Sequence, residues 1–282
     1  MSVNSNRLFQ FFKYSVYALL AFNVYVFWSD EVHAATVQYS GGIPWLEVIG
    51  AYAATIDTAA WVVLLLMFEL ETYVLEDHHY DRIVTWSLHA IRAFCYAFII
   101  YAFYGYITNL TAVYQTDLLA GVIDLCSLAG NDWSYAVGLD EYLQVTAANC
   151  SSLSDASSFQ RFAGIPAVTD AAGLNDIRNL AWVDVINAAV WLLIVLILEI
   201  DVWLQERNKL DGALLQASNA FKVVLYSSLF IAAIYWGVKG DFIDFWDALL
   251  WLVAFVFIEL NVFEWRQEAK EATLQDETSP SS

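Results

Sequence analysis

One polar pattern recurs three times inside apolar sequence and limits what this chain can fold into. An Asp or Asn is followed after four residues by Trp, after eight more by Glu, and after two more by another polar residue. The three copies are Asp57, Trp61, Glu69, Glu71; Asn187, Trp191, Glu199, Asp201; and Asp247, Trp251, Glu259, Asn261. A carboxylate within such an apolar run must face protein or water, because its exposure to lipid hydrocarbon is costly. We interpret the copies as an internal repeat with fixed polar positions.

A second pattern lies upstream of each copy. In it a basic residue is followed four residues later by Tyr, again inside apolar sequence. The three pairs are Lys13 and Tyr17, Arg92 and Tyr96, and Lys222 and Tyr226. The two patterns alternate along the chain, which predicts three helical hairpins of one design.

The composition identifies the class of protein. The chain is 60% hydrophobic and 16% aromatic, with a mean hydropathy of +0.52, whereas soluble domains are under half apolar. Six apolar segments are long enough to span a bilayer, which requires roughly 20 residues. They are about 9–29, 51–74, 88–108, 181–204, 218–238 and 243–264. We therefore predict an all-α integral membrane protein with six transmembrane helices arranged as three repeated hairpins.

The basic residues predict the orientation of these helices. Nine of the twelve Lys and Arg lie on one side: six before the first segment, at one set of turns or after the last segment, and three (Lys13, Arg92 and Lys222) near the same ends of the segments. Basic residues remain cytoplasmic, so we expect both termini inside, in a plasma membrane or bacterial inner membrane. Within a membrane domain of 1–268, residues 109–180 form a predicted exoplasmic loop insertion. We expect the polar tail, 269–282, to be disordered.

The cysteines fit this topology. Cys126 and Cys150 both fall in the predicted exoplasmic loop. A pair of cysteines in an oxidising compartment most simply forms a disulfide. The third cysteine, Cys95, lies in an apolar segment, and we expect it to be inert.

The bases and the repeated glutamates occupy similar depths. Counted at 1.5 Å per residue, both sets lie roughly 7–9 Å inside the predicted cytoplasmic boundary. This predicts an intramembrane ion-pair layer in which the tyrosines, one turn deeper, donate hydrogen bonds. Its members are Lys13, Arg92, Lys222, Glu69, Glu199, Glu259, Tyr17, Tyr96 and Tyr226. Such pairs can serve simply to fix the register of the helices.

The remaining polar positions suggest an ion path. Glu71 and Asp201 have no repeated base, and they lie on another side of the helix from Glu69 and Glu199. A second polar layer, of Asp57, Asn187 and Asp247, lies about 18 Å from the first glutamates. The candidate path residues are Glu71, Asp201, Asp57, Asp247, Asn187 and Asn261.

Other functional classes have weaker signals. A weak metal-site hypothesis rests on Glu76, His78, His79 and Asp81, for which a solvated acidic turn is the simpler interpretation. The sequence contains no nucleophile elbow, phosphate loop or zincin motif, so we predict neither an enzyme nor a bound cofactor. The net charge of −19, without a basic stripe, argues against nucleic-acid binding.

Two functions remain from different classes. The first is a membrane channel or carrier for protons or monovalent cations that uses the intramembrane carboxylates. The alternative is a non-transporting membrane scaffold or accessory subunit, in which the charged layers are purely structural. In both cases the chain contacts the lipid bilayer, and it can form a homo-oligomer or bind a membrane partner subunit.

Overall fold

Helices make up most of the protein. The computed structural model describes residues 3–39, 41–71, 82–156, 158–207 and 212–258. We number seven helices in chain order: α1 (Val3–Gln38), α2 (Val48–Ala51), α3 (Ala53–Glu69), α4 (Arg82–Ala112), α5 (Ala171–Glu206), α6 (Gly212–Lys239) and α7 (242–258). A 3-10 turn, Trp45–Glu47, leads directly into α2.

Four of these helices are long and apolar enough to cross a membrane. They are the spans Arg7–Gln38, Arg82–Ala112, Ala171–Gln205 and Gly212–Lys239. A fifth arises if Trp45–Ala51 and Ala53–Glu69, which meet at a 73° bend, count as one span. The predicted sixth segment, 243–264, extends past residue 258 and so lies partly outside the described residues. A mostly helical protein with four or five candidate membrane-spanning helices is confirmed, while six spans, the hairpin repeat and the cytoplasmic termini stay predictions.

Local residues determine where several helices begin and end. α1 continues through a polar stretch to Gln38, because no Gly or Pro interrupts it before Gly41. At the start of α5 the Asp170 side chain accepts a hydrogen bond from the Gly173 N–H at 2.6 Å, which is a standard N-cap. Beyond α6, Gly240 adopts φ +90°, a conformation that glycine supplies without steric cost.

The all-α prediction is wrong in the long loop, where the chain forms a five-stranded sheet. The strands are β1 (Thr116–Leu118), β2 (Ser134–Ala136), β3 (Tyr142–Gln144), β4 (Phe159–Phe162) and β5 (Ala167–Asp170). Their order is β1-β4-β5-β2-β3, and only the β2–β5 pair is parallel. Strands of three or four residues are too short to show alternating polarity, and β1 pairs with β4 far along the chain. Local sequence therefore gave no signal for the sheet.

The sheet domain has its own small core, closed by a disulfide. Leu125, Val145, Phe159 and Val168 are buried together with Cys150. Cys126 and Cys150 are bonded across a sequence separation of 24, which confirms the predicted pairing. The free cysteine, Cys95, is buried in α4.

A second cluster joins the sheet to the helices. Residues of β2, β4 and β5 pack against the end of α4 and the first turns of α5, with Ala167, Ile177 and Ala181 almost fully buried. The Arg178 side chain of α5 donates to the Val113 carbonyl and to the Thr116 hydroxyl, each at 3.2 Å. The sheet is therefore fixed to the ends of α4 and α5.

A hydrogen bond also links the sheet domain to α1. The Gln38 side-chain amide donates to the Tyr142 hydroxyl at 3.0 Å. Burial raises the pKa of Tyr142 to about 12, so this hydroxyl stays protonated well into the alkaline range.

The helices belong to two compact units, residues 1–20 with 226–282 and residues 21–225. In the first unit the rings of Phe9 and Phe12 meet the Phe257 ring edge-on, with centroids 5.3 and 5.7 Å apart. In the second unit α3 packs against α4 and α4 against α5. The residues discussed below as a site lie mostly in this second unit.

The disulfide gives a direct test of compartment and pairing. Thiol labelling of unfolded but unreduced protein should modify one cysteine, Cys95, because Cys126 and Cys150 are bonded to each other. Peptide mass mapping would identify the labelled residue, and reduction before labelling should raise the count to three. Labelling of Cys126 and Cys150 without reduction would contradict the structure.

Candidate functional site

Two ion pairs connect successive helices. The Arg92 guanidinium of α4 lies 2.7 Å from one carboxylate oxygen of Glu71, two residues past the end of α3, and 2.9 Å from the other. The Lys222 ammonium of α6 lies 3.0 Å from the Asp201 carboxylate of α5. In both pairs the base follows the acid by 21 residues. The same contact therefore occurs at two places in the chain.

These pairs correct the predicted layer. The sequence assigned Arg92 and Lys222 to acids of the Glu69, Glu199 and Glu259 set and left Glu71 and Asp201 without a base. That assignment is wrong for both bases. Similar depth was a valid guide, but it cannot show which neighbouring helix a side chain faces. Two residues advance a helix by about 200°. Glu69 and Glu71 therefore project to nearly opposite sides, and depth alone cannot show which of them faces Arg92.

The two pairs differ in their exposure to solvent. The Lys222 and Asp201 side chains are 9% and 3% exposed, and Asp201 also accepts a hydrogen bond from the Ser218 hydroxyl at 2.7 Å. The Arg92 and Glu71 side chains are 34% and 23% exposed. Removal from water strengthens the mutual attraction of such charges and also raises the cost of losing one partner.

Glu199 contacts a hydroxyl group instead of a base. The Tyr96 hydroxyl of α4 donates to its carboxylate at 2.8 Å, the donor role that the sequence predicted for the tyrosines. Because Arg92 and Tyr96 lie one turn apart, α4 contacts the acid of α3 through one residue and the acid of α5 through the other. The two acids and the two donors thus form a continuous set across three helices.

The other predicted members of the layer have mixed outcomes. Lys13 and Glu69 are buried, as is Tyr17, and Tyr226 is partly buried. The Lys13 ammonium lies 5.0 Å from the centre of the Tyr14 ring. Glu259 and Asn261 fall outside the described residues, and so do the four weak metal candidates, Glu76, His78, His79 and Asp81. Within the described part of the chain no group of His, Cys, Asp and Glu could hold a metal ion.

The second polar layer is partly assembled. Asp57 accepts hydrogen bonds from the Trp61 indole at 3.0 Å and from the Tyr106 hydroxyl at 3.4 Å. The ring of Trp61 lies 6.0 Å from that of Trp191, and Asn187 precedes Trp191 by one turn. The side-chain oxygen of Asn187 is buried, with no hydrogen-bond donor in the described part of the protein. Asp247 lies on α7 and is partly buried.

A buried carboxylate at a helix break was not predicted. Glu31 of α1 is 5% exposed, and it accepts hydrogen bonds from the backbone N–H groups of Ala54 and Thr55 at 2.8 and 3.1 Å. The Thr55 hydroxyl donates to the same carboxylate. Tyr52, which precedes α3, supplies no side-chain cap. Glu31 therefore caps α3 from a different helix, where a negative charge is favoured by the helix dipole.

α4 encloses the other side of this break. The Asn109 amide donates to the Gly50 carbonyl at 3.1 Å. A Cβ at Gly105 would lie only 2.7 Å from the Ile49 carbonyl oxygen, so a glycine is required for the close approach. Side chains of α1 and α4 thus satisfy backbone groups that the bend exposes, as interrupted helices in apolar surroundings require.

The sequence held only an indirect signal for Glu31. It lies beyond the first predicted span, 9–29, and has no counterpart in the repeat. The usable signal was the closely spaced Gly41, Gly42, Pro44 and Gly50 before an apolar segment, which is typical of an interrupted helix. A scan of family models finds no match to this chain, and searches of curated proteins and of solved structures find no significant match either.

The buried ion pair should be more costly to break than to remove. We expect Lys222→Met to destabilise the protein by about 3–5 kcal/mol, because it leaves the Asp201 charge buried and uncompensated. The double variant Lys222→Met, Asp201→Asn should cost clearly less. Unfolding in detergent, followed by circular dichroism in a double-mutant cycle, measures both effects. The more exposed Arg92–Glu71 pair is the matched control, with an expected effect of about 1 kcal/mol.

The cap on α3 should also be measurable. Glu31→Ala should destabilise the first turn of α3 by about 1–2 kcal/mol, because two N–H groups lose their acceptor. Hydrogen exchange at Ala54 and Thr55 reports that loss locally. Glu47→Ala, at an exposed position of the same region, should leave this exchange unchanged. Equal exchange in the Glu31→Ala variant and the unaltered protein would contradict the capping role.

Proposed function

We propose that the protein is a membrane transporter for protons or monovalent cations. The observation that carries this proposal is the break between α2 and α3, where a bend of 73° coincides with the buried carboxylate of Glu31. Discontinuous helices place backbone dipoles at the substrate and ion sites of many transporters. Ionisable groups in such apolar surroundings are costly and generally functional.

The proposed path begins at this break and continues through the second polar layer. Asp57 follows Thr55 by two residues on α3, and its contact with Tyr106 at 3.4 Å is longer than a usual hydroxyl hydrogen bond. The buried oxygen of Asn187 offers an acceptor for a water molecule or a cation. Asp247, its counterpart in the sequence pattern, lies in the other compact unit, and its part in an ion path stays a prediction.

In this proposal Glu71 and Asp201 have a different role from the ion-path role that the sequence suggested. Glu71 and Asp201 are neutralised by Arg92 and Lys222, so they do not offer a cation free negative charge. They act as a gate: a proton arriving on either acid would weaken its bond to the base, and a metal cation would have to compete with that base. Asn261, which occupies the equivalent position in the third copy of the repeat, carries no charge.

The proposed location follows from the topology. With both termini in the cytoplasm, the ends of α4 and α5 that carry the sheet domain lie outside. A disulfide such as Cys126–Cys150 persists in that oxidising compartment. We therefore place the protein in a plasma membrane or bacterial inner membrane.

A second candidate function is a scaffold or accessory subunit. The closed Lys222–Asp201 pair favours it, because a fully compensated pair fixes helix register without moving an ion. In this case the sheet domain is the part that contacts a partner subunit or a second copy of the chain.

Flux measurements separate the two functions. Purified protein reconstituted in phospholipid vesicles should pass protons or monovalent cations under an imposed pH gradient or membrane potential. Asp57→Asn should reduce that flux at least tenfold, because it removes the charge from the proposed path while preserving the shape of the side chain. Asp117→Asn, at an exposed position of β1, is the matched control and should transport normally.

The same assay tests the Lys222–Asp201 pair. Replacement of both partners, as in Asp201→Asn with Lys222→Met, should alter the pH dependence of flux if the pair is a gate. Flux equal to that of empty vesicles for the unaltered protein, across a range of pH and potential, would refute transport and favour the scaffold. Circular dichroism and gel filtration establish that each variant is folded.

A further inference from the structure

We propose that the segment Trp45–Ala51 lies in the outer headgroup region of the bilayer and anchors the α2–α3 break there through Trp45 and Leu46. The inference rests on the proposed membrane location, but it does not depend on transport. It assigns to this segment a lipid surface as its partner.

One side of the segment is buried and the other is exposed. On one side Ile49 and Ala51 are almost fully buried, and α4 approaches the Ile49 backbone closely at Gly105. On the other side Trp45 and Leu46 are 85% and 82% exposed. These two adjacent large apolar side chains are little covered by their own chain and are therefore available to another apolar environment.

The bend indicates where that environment lies. α3 has 17 residues and is about 25 Å long, close to the thickness of the hydrocarbon core. If α3 crosses the membrane, a segment inclined to it by 73° runs nearly parallel to the membrane plane at the outer end of the span. This is the position of interfacial helices, which bury an apolar face at the headgroup boundary.

The side chains match that position. Trp is enriched at membrane interfaces because its ring is amphipathic, and Leu46 adds apolar area beside it. The exposed Glu47 carboxylate follows directly and can remain in the aqueous headgroup layer. A water-exposed turn would leave the apolar pair without a contact, and a position in the hydrocarbon core would place Glu47 in lipid.

Spin labels test the depth of this segment. In a Cys95→Ala background with the disulfide intact, single labels at Trp45→Cys and Leu46→Cys are compared in vesicles by their collision rates with molecular oxygen and with a water-soluble nickel chelate. Two exposed reference positions are labelled in the same way. Ile100→Cys on α4 reports the hydrocarbon region, and Asn131→Cys in the sheet domain reports water.

The expected result is an oxygen-to-nickel ratio between those of the two references, corresponding to a shallow depth of about 5–10 Å. A ratio at both segment labels equal to that of Asn131 would overturn the proposal, because the segment would then face water. Protection from both reagents would overturn it too and indicate a protein partner. If Ile100 itself reads as water, the membrane location fails and this proposal with it, whatever the flux assay shows.

Discussion

The cost of a charge in apolar surroundings governs the arrangement of these helices. Lys222 and Asp201 are each acceptable inside the protein only because the other is present, at 3.0 Å. This constraint ties the start of α6 to the end of α5, and the Arg92–Glu71 contact ties α4 to the end of α3. A displaced ion pair leaves two charges uncompensated, which is costly away from water. The charged residues therefore contribute to helix register.

The sequence predicted the existence and depth of these charges but not their partners. Spacing along the chain placed Arg92 and Lys222 level with acids of the neighbouring segments, and both bases do bind acids near that level. The choice of Glu71 over Glu199 depends on the rotation of each helix about its axis, which is set by packing with all its neighbours. No local pattern carries that information. The Tyr96 hydroxyl donates to Glu199, which is the role that the sequence suggested, while the same role for Tyr17 and Tyr226 stays a prediction.

The same distinction between local and nonlocal information explains the fold. Long apolar segments and a cysteine pair are local signals, and they correctly predicted a mostly helical chain and the Cys126–Cys150 disulfide. The sheet depends on contacts such as Thr116 with Phe162, between strands too short to be recognised individually. The break before α3 is stabilised by Glu31 and Asn109, which are distant in sequence from Tyr52. In each case the stabilising group comes from another part of the chain.

The helix break and the ion pairs differ in how they depend on protonation. An ion pair between two fixed helices performs its role without any change of protonation, and a scaffold requires nothing further. The Glu31 carboxylate holds the first N–H groups of α3 with both of its oxygens, so it accepts most strongly when it is ionised. A proton on Glu31 would convert one of those oxygens into a donor and weaken the start of α3. Proton binding and the position of α3 are therefore linked at this residue, and such a linkage is useful to a transporter but not to a static frame.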